Sequence, residues 1–296
     1  MRALEHIVIT DANMTTNVTE DANPIWVSGT AYSVGNLVHR VETHRIYKCA
    51  VATSSTVAPE DNVSEWQDVG PTNAWAMFDR ENGSQTQNVD SITFSITPDG
   101  LVDALAVINV NAIEMTVEMS TVADGIVYSK TEPLVIRSVS DWREFWVKLP
   151  VRKQRVVLDD LPLYLDATIT ITLTAIGETV ECGTFVTGML KSIGDTVWGS
   201  NGGINDFSVK DTDEFGNWTI RPRPFRDRDS FDVEVPTAKL DGVRQYLSQK
   251  RAVPQLWIGS SLYQGMITYA MCKNFEVNYS NAVISHVTLE LEGLTS

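Results

Sequence analysis

The sequence is poor in the residues that support redox, metal or nucleic-acid chemistry. Its three cysteines (Cys49, Cys182 and Cys272) are odd in number and far apart, which argues against a disulfide framework and suits synthesis in a reducing cytoplasm. Its four histidines are His6, His39, His44 and His286, and none has the Cys or His neighbours at the spacing that a metal set requires. His39 and His44 read as exposed hairpin residues, and His286 reads as the polar face of a strand. Positive charge is also short: 23 Lys and Arg face 38 Asp and Glu, for a formal net charge of -15. A phosphate-binding surface needs a local excess of Lys and Arg, so a nucleic-acid partner is not expected. One basic run, RPRPFRDR from Arg221 to Arg228, is interrupted by Asp227 and reads as a solvated or partner-facing loop. No apolar stretch approaches the roughly 20 residues of a membrane span. The best candidate, LVDALAVINV, is broken by Asp103 and Asn109. The opening MRALEHIVITDANM lacks an apolar core followed by small residues, so no secretory signal is expected.

Catalytic motifs are equally sparse. Gly259-Ser260-Ser261 lacks the second glycine of a nucleophile elbow and reads as a hairpin. Asp211 to Asn217 begins like a calcium loop (Asp211, Asp213, Gly216), but Phe215 and Pro222 stand where ligands belong, so an acidic turn is expected instead. No phosphate-cradling glycine loop is present. Carboxylates abound, but spacing along a β-rich chain does not pair them into an acid/base couple. No enzyme activity and no cofactor are expected.

What the sequence does have is two-residue alternation, which sends successive side chains to opposite faces of a strand. Ile92, Phe94 and Ile96 share one face of SITFSI, and Met115, Val117 and Met119 share one face of EMTVEMS. In TITITLTAI, Ile169, Ile171 and Leu173 alternate with threonines. VISHVTLELE offers Val283, Val287, Leu289 and Leu291 to one side. These are half-buried antiparallel strands. One helix is expected in PTAKLDGVRQYLSQKR, with Leu240, Val243 and Leu247 in a stripe, Thr237 as N-cap, Lys250 and Arg251 in the last turn, and Pro254 as its stop. The expected class is mainly β. Turn-rich breaks divide the chain into an N-terminal strand and linker (1–23), a small aromatic-cored β module (24–70), a jelly-roll-like β-sandwich (71–190) and a C-terminal α+β domain with one clear helix (191–296).

Residues 25–70 resemble the small chitin-binding module known as carbohydrate-binding module family 5/12. The matching pieces are Trp26, Gly29, Thr30, Ala31, Tyr32, Gly35 and Val38, then Tyr47 to Ala50, a Pro59 loop, and Trp66 with Val69. The resemblance implies a glycan site, with Tyr32, Tyr47, Trp26 and Trp66 as its candidates. One departure is that VATSST puts Val51 and Ala52 where sugar-binding members carry exposed aromatics. A scaffold module with an aromatic core is therefore the competing expectation.

Further segments are similar to those of bacteriophage tail-tip and distal-tail (baseplate) proteins. They are DVGPTNAWAMFD (Asp68 to Asp79), ECGTFVTGML (Glu181 to Leu190), DFSVKDTDEFGNWTI (Asp206 to Ile220), RAVPQLWIGSSLY (Arg251 to Tyr263) and the closing strand–strand–EGL. The resemblance implies a structural virion protein, made in the bacterial host cytoplasm and assembled into the phage tail. It would join the tail tube to fibres or receptor-binding parts, with tail tube, tape measure, tail hub, fibres and a symmetric ring of its own copies as partners. The alternatives are an adhesin for host-surface polysaccharide and, more remotely, a glycan-degrading enzyme.

Overall fold

The computed structural model describes every residue except 80–82, 137–140, 148–150, 213 and 296; the Asp213 position of the acidic turn thus lies outside the described residues. Strand takes 53% of the chain and helix 10%, so the mainly-β expectation holds. The N-terminal segment supplies β1 (Arg2–His6) and β2 (Met14–Thr16). The small module is an antiparallel sheet of β3 (Leu37–Arg40), β4 (Arg45–Cys49) and β5 (Trp66–Pro71). The sandwich-like unit contains β6 (Thr86–Ile96), β7 (Ala104–Asn111), β8 (Glu114–Thr121), β9 (Gly125–Pro133) and β10 (Val135–Ile136). It continues through α1 (Trp142–Val147), β11 (Val151–Arg152), β12 (Arg155–Leu158) and β13 (Thr168–Ser192). The C-terminal unit has β14 (Asp195–Thr196), β15 (Asn201–Asp206), β16 (Val209–Thr212), β17 (Trp218–Arg221) and β18 (Phe225–Pro236). It closes with α2 (Leu240–Gln249), β19 (Gln255–Ile258), β20 (Ile267–Asn278) and β21 (Ile284–Thr295).

Strand β13 is the spine. Its first half lies between β6 and β8, with Ile171 opposite both Phe94 and Val117. A register shift between Ala175 and Thr179 bends it, and its second half pairs with β7 and then β1. Because of the bend, Ile169, Ile171 and Leu173 and the later Cys182 and Phe185 all reach one core, together with the alternating residues of β6 and β8. Burial of these side chains out of water is the main favourable term for this unit.

Strand β1 does more than lead into the fold: it is interior, hydrogen-bonded to β13 on one side and β19 on the other. Neighbouring residues of a strand face opposite ways, and here both faces are covered. Ala3 enters the core of the C-terminal unit, and Leu4 enters a second core shared with Ala104, Ala106, Val186, Leu256 and Tyr269. The sheet therefore runs without a break from the sandwich-like unit through β1 to β19, β20, β21 and β18.

Three local expectations are corrected. Val283 is 72% exposed because it lies in the turn before β21, and Ser285 takes the first inward place of that strand. Thr237 does not cap α2, since it sits in a 3-10 turn (Thr237–Lys239) and its hydroxyl bonds the Asn281 carbonyl and Ser285 Oγ. The helix ends at Gln249, ahead of Pro254, although the Arg251 guanidinium does donate to the Ser248 carbonyl at 3.2 Å. The Leu240, Val243 and Leu247 stripe packs inward as expected. Helix α1 was not anticipated; Asp141 Oδ1 accepts the Glu144 N–H at 2.8 Å and starts it. Among the described residues no helix is long and apolar enough to cross a membrane.

At Gly188, where β13 passes β1, a Cβ would stand 1.8 Å from the Glu5 carbonyl oxygen. Gly188→Ala is expected to destabilise the protein by at least about 2 kcal/mol, since backbone has to move. Gly242, inside α2, meets open space at its Cβ position. Gly242→Ala is expected to stabilise by about 0.5–1 kcal/mol. Urea-unfolding midpoints of the two variants should move in opposite directions at an unchanged slope.

Candidate interaction surface

The four aromatics of the small module come together, but around a core. Trp66 and Tyr47 are 2% and 4% exposed and pack with Val38 and Cys49. Trp26 and Tyr32 lie half-buried against them. Tyr32 meets Trp66 edge-on at 5.2 Å, and its hydroxyl oxygen accepts the Val27 N–H at 2.8 Å. Burial pushes the Tyr47 hydroxyl pKa up. The Arg40 guanidinium covers the Trp26 ring at 4.9 Å and is held by Glu60 at 2.9 Å and Glu42 at 3.1 Å. Burial alone would raise the Glu60 pKa, but the bonds from Arg40 outweigh it and hold the carboxyl below its usual range. The indole N–H of Trp66 is buried without an acceptor, a loss on the order of 1–3 kcal/mol that only its packing can offset. Stacking on a pyranose needs a flat, exposed ring face. Tyr47 and Trp66 present none, and one face of Trp26 lies under Arg40.

His44 and His39 are not the exposed hairpin residues expected. His44 stacks on Trp75 with centroids 3.7 Å apart, and its carbonyl accepts the Thr72 N–H at 2.8 Å. His44 Nε2 lies 3.2 Å from Asp11 Oδ2. His39 Nδ1 lies 2.6 Å from the Asn23 carbonyl oxygen. Both histidines dock the module, His44 onto the next unit and His39 onto the linker.

A polar cluster closes the seam between the two larger units. Asp227 and Asp229 sit two apart on β18; Arg155 of β12 bonds Asp227 and also donates to the Ile267 carbonyl at 2.8 Å. The Thr268 hydroxyl donates to the buried Asp229. Burial pushes the Asp229 pKa up, the Thr268 bond and Arg155 oppose that rise, and Asp227 adds to it. Beside the cluster lies a cavity of about 420 Å³, with Gln154, Gly202, Gly203 and Gln264 in its wall. Both carboxylates are engaged by partners of the same chain, so the cluster works as a clasp joining β12, β18 and β20.

The outward-facing apolar groups lie elsewhere. β16 and β17 pair only with each other, as a hairpin separate from the main sheet. It hangs from the point where β15 and β18 meet, Asp206 opposite Phe225. All four residues of β17 are exposed, Trp218 at 68%, and Phe207, Phe215 and Ile220 are exposed as well. A groove of about 590 Å³ opens between the β14–β15 connection and the turn after β19, lined by Asp195, Trp198, Gly199, Leu262, Tyr263 and Met266. Trp198 is 89% exposed and Leu262 85%. Gly259 N–H donates to the Met266 carbonyl at 2.8 Å and holds the turn closed, the hairpin expected for Gly259-Ser260-Ser261.

Sequence reasoning gave no role to Trp198, Trp218 or Tyr263. The available signal was a short β-rich segment, NWTIR, with Trp218 and Ile220 on one face and no neighbouring strand of matching apolar pattern. No protein-family model, no curated protein and no solved structure matches the chain.

The Asp229 clasp carries a pH signature. A carboxyl held above its ordinary value of 3.8 binds its proton more tightly in the folded chain than in the unfolded one. Stability attributable to Asp229 is therefore greatest in acid and falls as pH rises from that ordinary value through the raised one. Asp229→Asn keeps an acceptor for Thr268 and removes the titration. Relative to this variant, the parent should lose stability in urea titrations as pH rises above the ordinary carboxyl value of 3.8; a difference that stays constant with pH would show that Asp229 is not perturbed.

Proposed function

We propose that the chain is a structural component of a bacteriophage tail, at the tip, baseplate or distal tail, linking the tail tube to fibres or receptor-binding parts. It acts by contact between rigid β-built surfaces rather than by catalysis. The observation that carries this is where the tail-protein-like segments fall. Asp206 to Ile220 makes the exposed hairpin, and Arg251 to Tyr263 supplies β19 and the Leu262–Tyr263 wall of the groove. Glu181 to Leu190 is the half of β13 that binds β7 and β1. The resemblance thus concentrates on the frame and on its two outward apolar features. Exposed apolar patches of this kind mark interaction sites.

Within that assembly the small module is a spacer, docked through His44 on Trp75. Its aromatics build its core, which weighs against a sugar platform at Tyr32, Tyr47, Trp26 and Trp66.

The test is location. Mass spectrometry of purified virions should detect the chain as a virion protein, and a density map of the tail should show several copies around its axis. A chain absent from virions, or recovered only as a solitary soluble molecule in infected cells, would sink the proposal.

A further inference from the structure

Asp229 is a buried carboxylate with most of its bonding capacity unused. It is 5% exposed and sits on β18 between Gly202 of β15 and Leu291 of β21. An ionised carboxylate offers about four acceptor positions. Asp229 Oδ2 accepts the Thr268 hydroxyl, which is a neutral donor. Among the described residues Oδ1 accepts no hydrogen bond, and the side chain forms no ion pair. The cation beside it, Arg155, is bound to Asp227 and to the Ile267 carbonyl. Burial holds the Asp229 pKa above its ordinary 3.8; the Thr268 bond and Arg155 oppose that rise, and Asp227 adds to it. A buried charge short of donors and of a counter-charge is costly, and calls for an explanation.

The unused oxygen faces open space. Asp229 lines the cavity of about 420 Å³ that lies between β12 and β15. Gly202 stands directly opposite Asp229 in the ladder, and a Cβ there would lie 2.9 Å from Oδ1 and 4.0 Å from the Gly265 carbonyl oxygen. The missing side chain thus leaves a space bordered by two acceptors, and both residues are in the cavity wall. Gln264 Oε1, which accepts the Gln154 N–H at 3.3 Å, adds a third acceptor to that wall. The charged groups lining the cavity are Asp227, Asp229 and Arg155, two carboxylates against one guanidinium, which leaves one negative charge over.

We infer that the cavity binds a primary ammonium group on an alkyl chain, seated between Asp229 Oδ1 and the Gly265 carbonyl. One positive charge cancels the one left over, and the three N–H donors of an ammonium match Oδ1, the Gly265 carbonyl and Gln264 Oε1. Ile204 in the same wall offers an apolar surface to the alkyl stem. A divalent cation suits the site less well. Calcium takes about six to eight oxygens, several of them charged. Here Arg155 already holds Asp227, and the described residues contain no group of three or more metal-ligating side chains. A free polyamine and a lysine side chain of another protein carry the same ammonium, and the recognition chemistry is common to both.

The experiment is titration calorimetry of the full chain at pH 7 and fixed ionic strength, with cadaverine and N-acetyl-lysine methylamide as probes. At least one probe should bind at a single site with a dissociation constant of about 1 mM or tighter. Tetramethylammonium, which has the charge but no N–H donor, should bind at least tenfold more weakly. Asp229→Asn keeps an acceptor for Thr268, removes the charge, and should weaken the bound probe at least tenfold. Ile204 lies opposite Asp227 and diagonal to Asp229 on the same face, and it is 61% exposed. Ile204→Lys should therefore fold unchanged, carry its own ammonium into the site, and weaken the probe at least tenfold. Circular dichroism that matches wild type certifies each variant as folded. Tighter binding of cadaverine identifies a free polyamine as the ligand, and tighter binding of the lysine derivative identifies a side chain; either result supports the site. No saturable binding up to about 10 mM of either probe, equal binding of tetramethylammonium, unchanged affinity in the variants, or displacement of the probe by calcium would each overturn the inference. The tail role is tested separately by location: a chain found in virions that binds neither probe keeps that role and loses only this site.

Discussion

Everything else in the molecule depends on the way β13 shares its backbone. A strand of 25 residues carries more amide and carbonyl groups than one neighbour can satisfy, and a buried backbone group left unpaired is costly. Four strands share it here: β6 and β8 along its first half, β7 and β1 along its second. The last of these is decisive, because β1 passes the ladder on to β19. Two units that the sequence separates by a glycine-rich break are thereby one hydrogen-bonded sheet. Leu4 and Ala3, on opposite faces of β1, put each unit's core within reach of the other.

That continuity fixes what the outer surface can do. The hairpin of β16 and β17 grows from β15 and β18, and β18 is pinned by β21 on one edge and by the Arg155–Asp227 pair across the seam. Beyond that base the hairpin's two strands pair only with each other, and Trp218 and Ile220 stay exposed. The groove has a similar foundation: Gly259 packs where a Cβ would strike the Phe231 ring at 2.6 Å, and Thr196 Oγ1 donates to the Gly259 carbonyl at 2.8 Å. Both surfaces thus rest on the buried core of the C-terminal unit.

Much of the frame was legible because burial on one face imprints alternation. Ile92, Phe94 and Ile96, Met115, Val117 and Met119, and Ile169, Ile171 and Leu173 all sit where their period placed them. β1 was not legible as an interior strand, since a strand buried on both faces has no alternation to read, and Ala3-Leu4 is too short a run to signal it. The bend in β13 was hidden for a related reason: the register shift after Ala175 moves the inward places from Ile169, Ile171, Leu173 and Ala175 to Val180 and Cys182, and only the partner strand reveals it. Helix α1 has six residues, too few for a 3.6-residue period to emerge. Trp218 and Ile220 of the β16–β17 hairpin follow the same alternating pattern as core residues. Sequence periodicity reports that a face is apolar; whether the chain itself covers that face is a tertiary fact. The same ambiguity touched Trp26, Tyr32, Tyr47 and Trp66, whose identities suit a binding platform or a core; Tyr47 and Trp66 are buried in the module's core, and Trp26 and Tyr32 pack half-buried against it.

The net charge of -15 sets a long-range barrier between copies of a chain that also carries exposed tryptophans. Excess negative charge keeps copies apart at low ionic strength through long-range repulsion, which acts over about 10 Å at 0.1 M salt. Apolar attraction acts only at contact. A uniformly acidic chain with an exposed apolar hairpin would therefore have to cross a repulsive barrier each time the hairpin approached a neighbour. Arg221, Arg223 and Arg228 at the base of the hairpin form no ion pair among the described residues, so an approach along the hairpin meets positive charge in an otherwise acidic sequence. Repulsion between two acidic bodies is therefore weakest along that approach, which is also where Trp218 and Ile220 stand exposed.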